Sequence, residues 1–233
     1  KYDIIPIVFD RLPLNIRDNK DYLRGLAFSE KRETDPSLTA WLSGDTDYEP
    51  ERTKEADLIE LFYYYPKLDK NVFTKENLKA MKEVEDIFMD IKDFRSKFCL
   101  LENGVCRKPT SILRFFDGTY KDVDSIFDDP NFNDIVNVIN KANFYNETKL
   151  KLSYHLSKQF EITPTKVFCY ATRSYIQVGY PLQGFNSSND RASEQEDELK
   201  KFYRLSLVPV GDEYYSSGVN DMDFLYNSGV LIG

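Results

Sequence analysis

Asp57-Leu-Ile-Glu-Leu-Phe-Tyr-Tyr-Tyr65 is a run of branched and aromatic side chains stopped by Pro66, the composition of a central β-strand. Eight residues further on the period changes from two to about 3.6. Thr74 stands where a helix N-cap belongs, and Phe73 before it can pack on Leu78 as a hydrophobic staple. Leu78, Met81, Val84, Ile87, Phe88 and Ile91 then fall on one apolar face, with Lys75, Glu76, Lys79, Lys82 and Asp86 on the other. The spacing predicts a helix over 75–94 that buries its stripe on a sheet.

Leu150, Leu152, Tyr154 and Leu156 alternate with Lys151, Ser153, His155 and Ser157, which predicts a half-buried strand. Thr165 to Tyr180 is a second strand region. Asp190 to Tyr203 reads as an acidic helix, Leu205 to Val210 as a short last strand, and 213–231 as a final helix. Asn131 to Ala142 is a further short helix. With 95–148 set aside as an insertion, the order is strand, helix, strand, strand, helix, strand. That is an α+β, ferredoxin-like βαββαβ unit, with both helices on one face of a four-stranded antiparallel sheet. Three segments follow: an extension over 1–54, the ferredoxin-like domain over 55–212, and the helix at 213–233.

Composition limits the chemistry. Of 233 residues, 41% are apolar and 30% charged, enough for a real core. The sum of 31 basic and 39 acidic residues gives −8, and such a surface repels phosphate backbones, so no nucleic-acid partner is expected. No apolar run approaches the roughly 20 residues needed to cross a bilayer. Aromatics make up 15% of the chain, so rings must build much of the core or a binding surface. A single histidine, His155, reads as exposed surface, and it cannot form a zinc site with the cysteines at hand. The sequence holds no nucleophile elbow, phosphate loop or dinucleotide fingerprint, so neither catalysis nor a cofactor is expected.

Cys99 and Cys106 flank Asn103-Gly104, a turn dipeptide that lets the two thiols approach. Closing that loop would contribute about 2.5 kcal/mol in the chain-entropy model. The same residues would also serve as two buried thiols. Cys169, in an apolar β-branched stretch, is expected as a buried free thiol. Asn146-Glu-Thr148 and Asn186-Ser-Ser188 are glycosylation sequons, although tripeptides of this form also arise by chance. Asp122, Asp124, Asp128 and Asp129 form the densest acidic patch of the insertion, either a solvated loop or a surface for a basic ligand.

Three stretches carry a family resemblance. Leu58-Ile-Glu-Leu-Phe-Tyr-Tyr-Tyr65 followed by Asn71-Val-Phe-Thr-Lys-Glu-Asn-Leu78 is similar to an opening strand and a (V/I)-(L/F)-T-x-(E/D)-N-L helix start. Phe98-Cys99, Cys106 and Pro109-Thr-Ser-Ile-Leu-Arg-Phe-Phe116 are similar to a two-cysteine loop and an S-I-L-x-(Y/F)-F segment. Arg173-Ser174, Gly179-Tyr-Pro-Leu182 and Gln195 are similar to an arginine followed by a G-x-P-L region. Over about 55–230 the chain thus resembles the first extracellular domain of Patched- and Dispatched-type members of the resistance–nodulation–division (RND) superfamily. It is most like the Dispatched type and less like Niemann–Pick C-type sterol transporters.

The resemblance implies a noncatalytic extracellular or luminal domain that moves or releases lipid, sterol or lipid-modified protein cargo. Its implied partners are that cargo and a second ectodomain of the same protein, with membrane attachment through flanking helices. The start at Lys1 without Met then reads as an excised piece, and the apolar 229–233 as the entry to a membrane helix. The alternative is a receptor-like ectodomain that captures a basic secreted ligand.

Overall fold

The structure, a computed structural model, describes residues 49–122 and 125–229. Most of the extension over 1–54, Asp124 and the apolar end at 230–233 lie outside the described residues. The compact unit begins at Glu49. It is a mixed α+β fold with a disulfide between Cys99 and Cys106.

Strand β1 (Lys54–Tyr64) is where the sequence predicts it, and both of its edges are used. Strand β8 (Ala171–Tyr180) pairs antiparallel on one side, with Leu58 opposite Gln177 and Tyr63 opposite Thr172. Strand β9 (Asp223–Ser228) pairs antiparallel on the other, with Tyr63 opposite Phe224. The sheet order is β8-β1-β9. Alternation turns Ile59, Leu61 and Tyr63 to one face, and all three are buried.

Helix α1 (Lys75–Met89) covers that face. Thr74 caps it, its side chain accepting from Asn77 N at 3.2 Å, and Phe73 and Leu78 are both in the core. The Phe88 ring lies 6.0 Å from Phe224, which lies 5.5 Å from Tyr63. The predicted helix stops at Met89, capped by Asp90, and the chain then turns left-handed at Asp93 (φ 70°) into a π-helical turn (Phe94–Phe98). Ile87, expected in the stripe, is exposed, whereas Asn77 and Glu85 are buried among its apolar members.

The insertion carries the small hairpins β2 (Leu101–Glu102) and β3 (Val105–Cys106), then β4 (Asp117–Asp122) and β5 (Ser125–Asp128). Helix α2 (Ile135–Phe144) matches the expected short helix. The strand expected over 150–157 is instead helix α3 (Asn146–His155). Its apolar and polar residues alternate, but the docked set is Thr148, Leu152 and His155, a helical i, i+4, i+7 spacing. The region 165–180 divides into β7 (Lys166–Cys169), which closes a hairpin with β6 (Phe160–Thr163), and β8.

Helix α4 (Ala192–Phe202) is as expected, but the strand predicted at 205–210 is a π-helical turn (Tyr203–Leu207) running into α5 (Val208–Ser217). Pro209 follows directly on that π-helical turn, where the regular i to i−4 ladder is already interrupted. The helix expected over 213–233 ends at Ser217, Gly218 takes φ 74°, and the chain returns to the sheet as β9. The last strand is therefore about twenty residues later than predicted. Tyr214 of α5 meets Phe224 at 5.9 Å, so α1 and α5 share one face of the sheet.

The outer edge of β8 is closed in pieces. Cys99, Thr110 and Leu156 each form one isolated antiparallel bridge to it, opposite Val178, Tyr175 and Thr172. Gly179 sits where three chain segments meet, and a Cβ there would lie 2.6 Å from the Arg52 carbonyl oxygen and 2.9 Å from Leu100 Cα. Both obstacles are backbone. We expect Gly179→Ala to lower the urea midpoint by the equivalent of about 1–3 kcal/mol. An unchanged midpoint would show that the segments separate freely.

Candidate functional site

The motif residues around Asn71 and Asn77 hold elements together. Asn71 Oδ1 accepts from Phe73 N at 3.1 Å and Cys169 N at 3.0 Å, while its Nδ2 donates to Val167 O at 2.8 Å. Asn77 Nδ2 donates to the Tyr65 hydroxyl and to Asn71 O, both at 3.0 Å, and its Oδ1 accepts from Asn220 at 2.8 Å. Tyr65 in turn donates to Asp221, which Lys70 pairs at 2.6 Å. These polar side chains join the end of β1, the start of α1 and the approach to β9. They are joints between three elements.

The Gly179-Tyr-Pro-Leu182 region is a second joint. Tyr180–Pro181 is cis, and Gln195, wholly buried on α4, accepts from Leu182 N at 2.8 Å. Its Nε2 donates to the Asp190 and Ser187 carbonyls at 2.7 and 3.0 Å, which holds the 183–190 loop. Asn186 is exposed in that loop, and Asn146 is exposed at the first position of α3.

Cys99 and Cys106 have Cα atoms 5.5 Å apart, and Cys169 is free and buried. Burial raises the Cys169 thiol above its ordinary pKa, which keeps it protonated and unreactive. Cys106 stands on the lip of a cleft of about 360 Å³. Met89, Leu113, Phe116 and Phe132 supply its apolar wall, and the Glu85–Arg114–Asp117 network crosses its base. That volume is in the small-molecule range of about 300–1,000 Å³.

Glu85 is 1% exposed. Its Oε1 accepts from Ser174 Oγ at 2.7 Å and its Oε2 from Arg114 Nη2 at 3.1 Å. Burial raises its pKa, and the Arg114 charge and the Ser174 and Ser111 hydroxyls only partly offset that. Asp117 takes the other Arg114 nitrogen. Burial alone would raise Asp117 too, but the Thr119 hydrogen bonds and the Arg114 charge outweigh it and hold the carboxyl below its usual range. The rim cations are all engaged: Lys82 with Asp86 at 2.6 Å, Arg95 with Asp90 at 2.6 Å, and Lys108 with Asp117 at 3.2 Å. The cleft thus has an apolar wall and a rim whose cations are paired, so a small anion would have to break an existing pair.

No sequence reading singled out Glu85 or Arg114, yet a signal existed. Glu85 lies four residues after Met81 and seven after Leu78, so it shares their face. Of the acidic patch, Asp128 is exposed and Asp129 accepts from Asp134 N at 2.7 Å; the Asp122 side chain, like Asp124, is outside what the structure describes. Among the described residues no group of three or more His, Cys, Asp or Glu could hold a metal. No described helix is long and apolar enough to cross a membrane.

His155 departs from expectation most. It is buried on α3, with Nδ1 donating to Arg173 O at 3.0 Å in the tautomer that satisfies this carbonyl. Burial lowers its pKa to about 4 from an ordinary 6.5. The folded pKa is the lower one, so its stabilisation is complete above pH 6.5 and is lost as pH falls through 4, to a limit of about 3 kcal/mol. Denaturation of wild type and His155→Asn from pH 7 to 4 should show a shallower acid loss in the variant. Equal slopes would assign the acid sensitivity elsewhere. Arg114→Met should cost about 3–5 kcal/mol at pH 7, because it leaves Glu85 buried without its cation. The loss should shrink as pH falls and Glu85 takes up a proton, and Glu85→Gln in the same chain should recover part of it.

No family model, curated protein or solved structure matches this chain.

Proposed function

We propose that the chain is a noncatalytic extracellular or luminal module of an RND-type transporter of the Patched/Dispatched kind, which moves or releases lipid, sterol or lipid-modified protein cargo. In this reading a second ectodomain of the same protein completes the route, and flanking membrane helices supply the ion-driven step. One observation carries the reading. The residues of all three resembling stretches serve as joints of one sheet-and-helix unit: Asn71, Thr74 and Asn77, then Cys99, Cys106 and Ser111, then Gly179, Pro181 and Gln195. Residues that set a framework are the ones a family pattern retains.

The finer fold belongs to the same proposal. The order β8-β1-β9 with α1 and α5 on one face agrees with three strands of a ferredoxin-like βαββαβ unit. The place of the fourth strand is the outer edge of β8, where Cys99, Thr110 and Leu156 form their bridges. The disulfide is compatible with an oxidising compartment. In this reading the apolar wall of the cleft beside it is where cargo would make contact.

A receptor-like reading rests on α4, which exposes Glu194, Glu196, Asp197 and Glu198 as a surface suited to a basic protein. A thermal-shift series on the secreted, oxidised chain separates the two. Sterols or acyl lipids at about 100 Kd should raise Tm by roughly 5 °C or more. A rise with basic proteins alone would favour the receptor reading, and no rise with either would remove cargo contact from this module.

A further inference from the structure

Helix α3 has an outward face that its packing does not explain. Thr148, Leu152 and His155 are buried against the body, while Asn146, Leu150 and Tyr154, spaced i, i+4, i+8, line the opposite side. Leu150 is 73% exposed and Tyr154 42%, and Phe144, two residues before Asn146, is 79% exposed. The Phe144 ring stands edge-on to Tyr145 at 5.2 Å, which leaves a ring face open. At the far end the Tyr154 ring is already engaged, stacked on Tyr175 at 5.1 Å with the Arg173 guanidinium 4.6 Å over it, so the open part of the strip is Phe144 and Leu150. The strip is about 12 Å long along the helix.

We propose that Asn146 is an occupied N-glycosylation site whose first sugars lie along Phe144 and Leu150 and cover them. The occupant follows from position, because the attachment nitrogen of Asn146-Glu-Thr148 opens the strip itself. The apolar C–H face of a pyranose carries partial positive charge and stacks on an aromatic face, as edge C–H groups do in ring pairs. Attachment forms a bond from Asn146 Nδ2 to the sugar C1 and breaks the C1–O bond to a polyprenyl pyrophosphate carrier. The pyrophosphate leaves and Nδ2 loses one proton. Thr148 Oγ1 donates to Ala142 O at 2.8 Å and is buried in the folded chain, so attachment precedes the docking of α3. Asn186 has no comparable strip on its own element. It lies in the loop that Gln195 holds, and its backbone N–H donates to Asp190 at 2.9 Å.

The inference rests on the luminal placement proposed above, and the test separates the two. On the whole protein purified from its own cells, glycosidase conversion of Asn to Asp in heavy-oxygen water maps both sequons. A mark at Asn146 is expected. A mark at Asn186 with Asn146 bare overturns this inference and spares the placement, and both bare overturns both. On the secreted chain, enzymatic removal of the Asn146 glycan should lower Tm by roughly 2–4 °C and increase binding of an apolar dye. In Phe144→Ser/Leu150→Ser, both positions being exposed, the Tm drop should vanish. An unchanged Tm and dye signal on deglycosylation of the wild type would overturn the covering role.

Discussion

Strand β1 is hydrogen-bonded along both edges, by β8 on one side and β9 on the other, and everything else is arranged around that double pairing. A sheet of three strands is too narrow to bury a face unaided. Helices α1 and α5 therefore supply a second layer over Tyr63, Phe224 and Tyr226. The outer edge of β8 raises the separate problem of unpaired backbone groups, which Cys99 and Thr110 of the insertion and Leu156 after α3 answer with one bridge each. The disulfide loop belongs to that answer: Leu100 N donates to Gln177 O at 3.1 Å and Leu101 N to Arg52 O at 2.7 Å, so the loop is tied into the sheet.

The same geometry accounts for the cleft. Helix α1 brings Glu85 over the sheet, β8 offers Ser174, and the short 3₁₀ turn at Ile112–Phe115 presents Arg114 from the insertion. Three elements distant in sequence meet at one buried carboxylate. Burying that charge is tolerated because a guanidinium and two hydroxyls surround it. The apolar wall beside it comes from side chains that also complete the core, so the cleft is continuous with the packing and shares its rigidity.

Sequence reading succeeds here where a local signal has one structural meaning. The Thr74 cap with the Leu78, Met81, Val84 and Phe88 stripe admits only a helix, and the branched, aromatic run ending in Pro66 admits only a strand. It fails where one pattern serves two periods. The Leu150–Leu156 alternation fits a strand facing a core, but tertiary contacts chose the i, i+4 set and left Leu150 and Tyr154 outside. Leu205 to Val210 fails for a related reason, since short apolar runs look alike in helix and strand. His155 was misplaced with its strand, so its burial was invisible. The Glu85 network could be half seen, as a carboxylate on an apolar stripe, but Arg114 and Ser174 come from elements that only the fold brings near. The Cys99–Cys106 pairing, by contrast, needed only a turn between two cysteines.

The pairing of β9 with β1 has a mechanical meaning. The chain enters the sheet at Lys54 and leaves it at Ser228, which lies opposite Ile59, so the two points are close to the same end of the central strand. Gly229 N still donates to Asp57 Oδ1 at 3.0 Å, drawing the exit to within a few residues of the entrance. Tension applied between these points loads the rungs of the β1–β9 ladder one at a time from Ile59–Ser228 toward Tyr64–Asp223. That is a zipper, not a shear joint, and it yields at low force. Strand β9 would peel first and take the lid formed by α5 with it, while β1, β8 and the disulfide-closed loop stay joined.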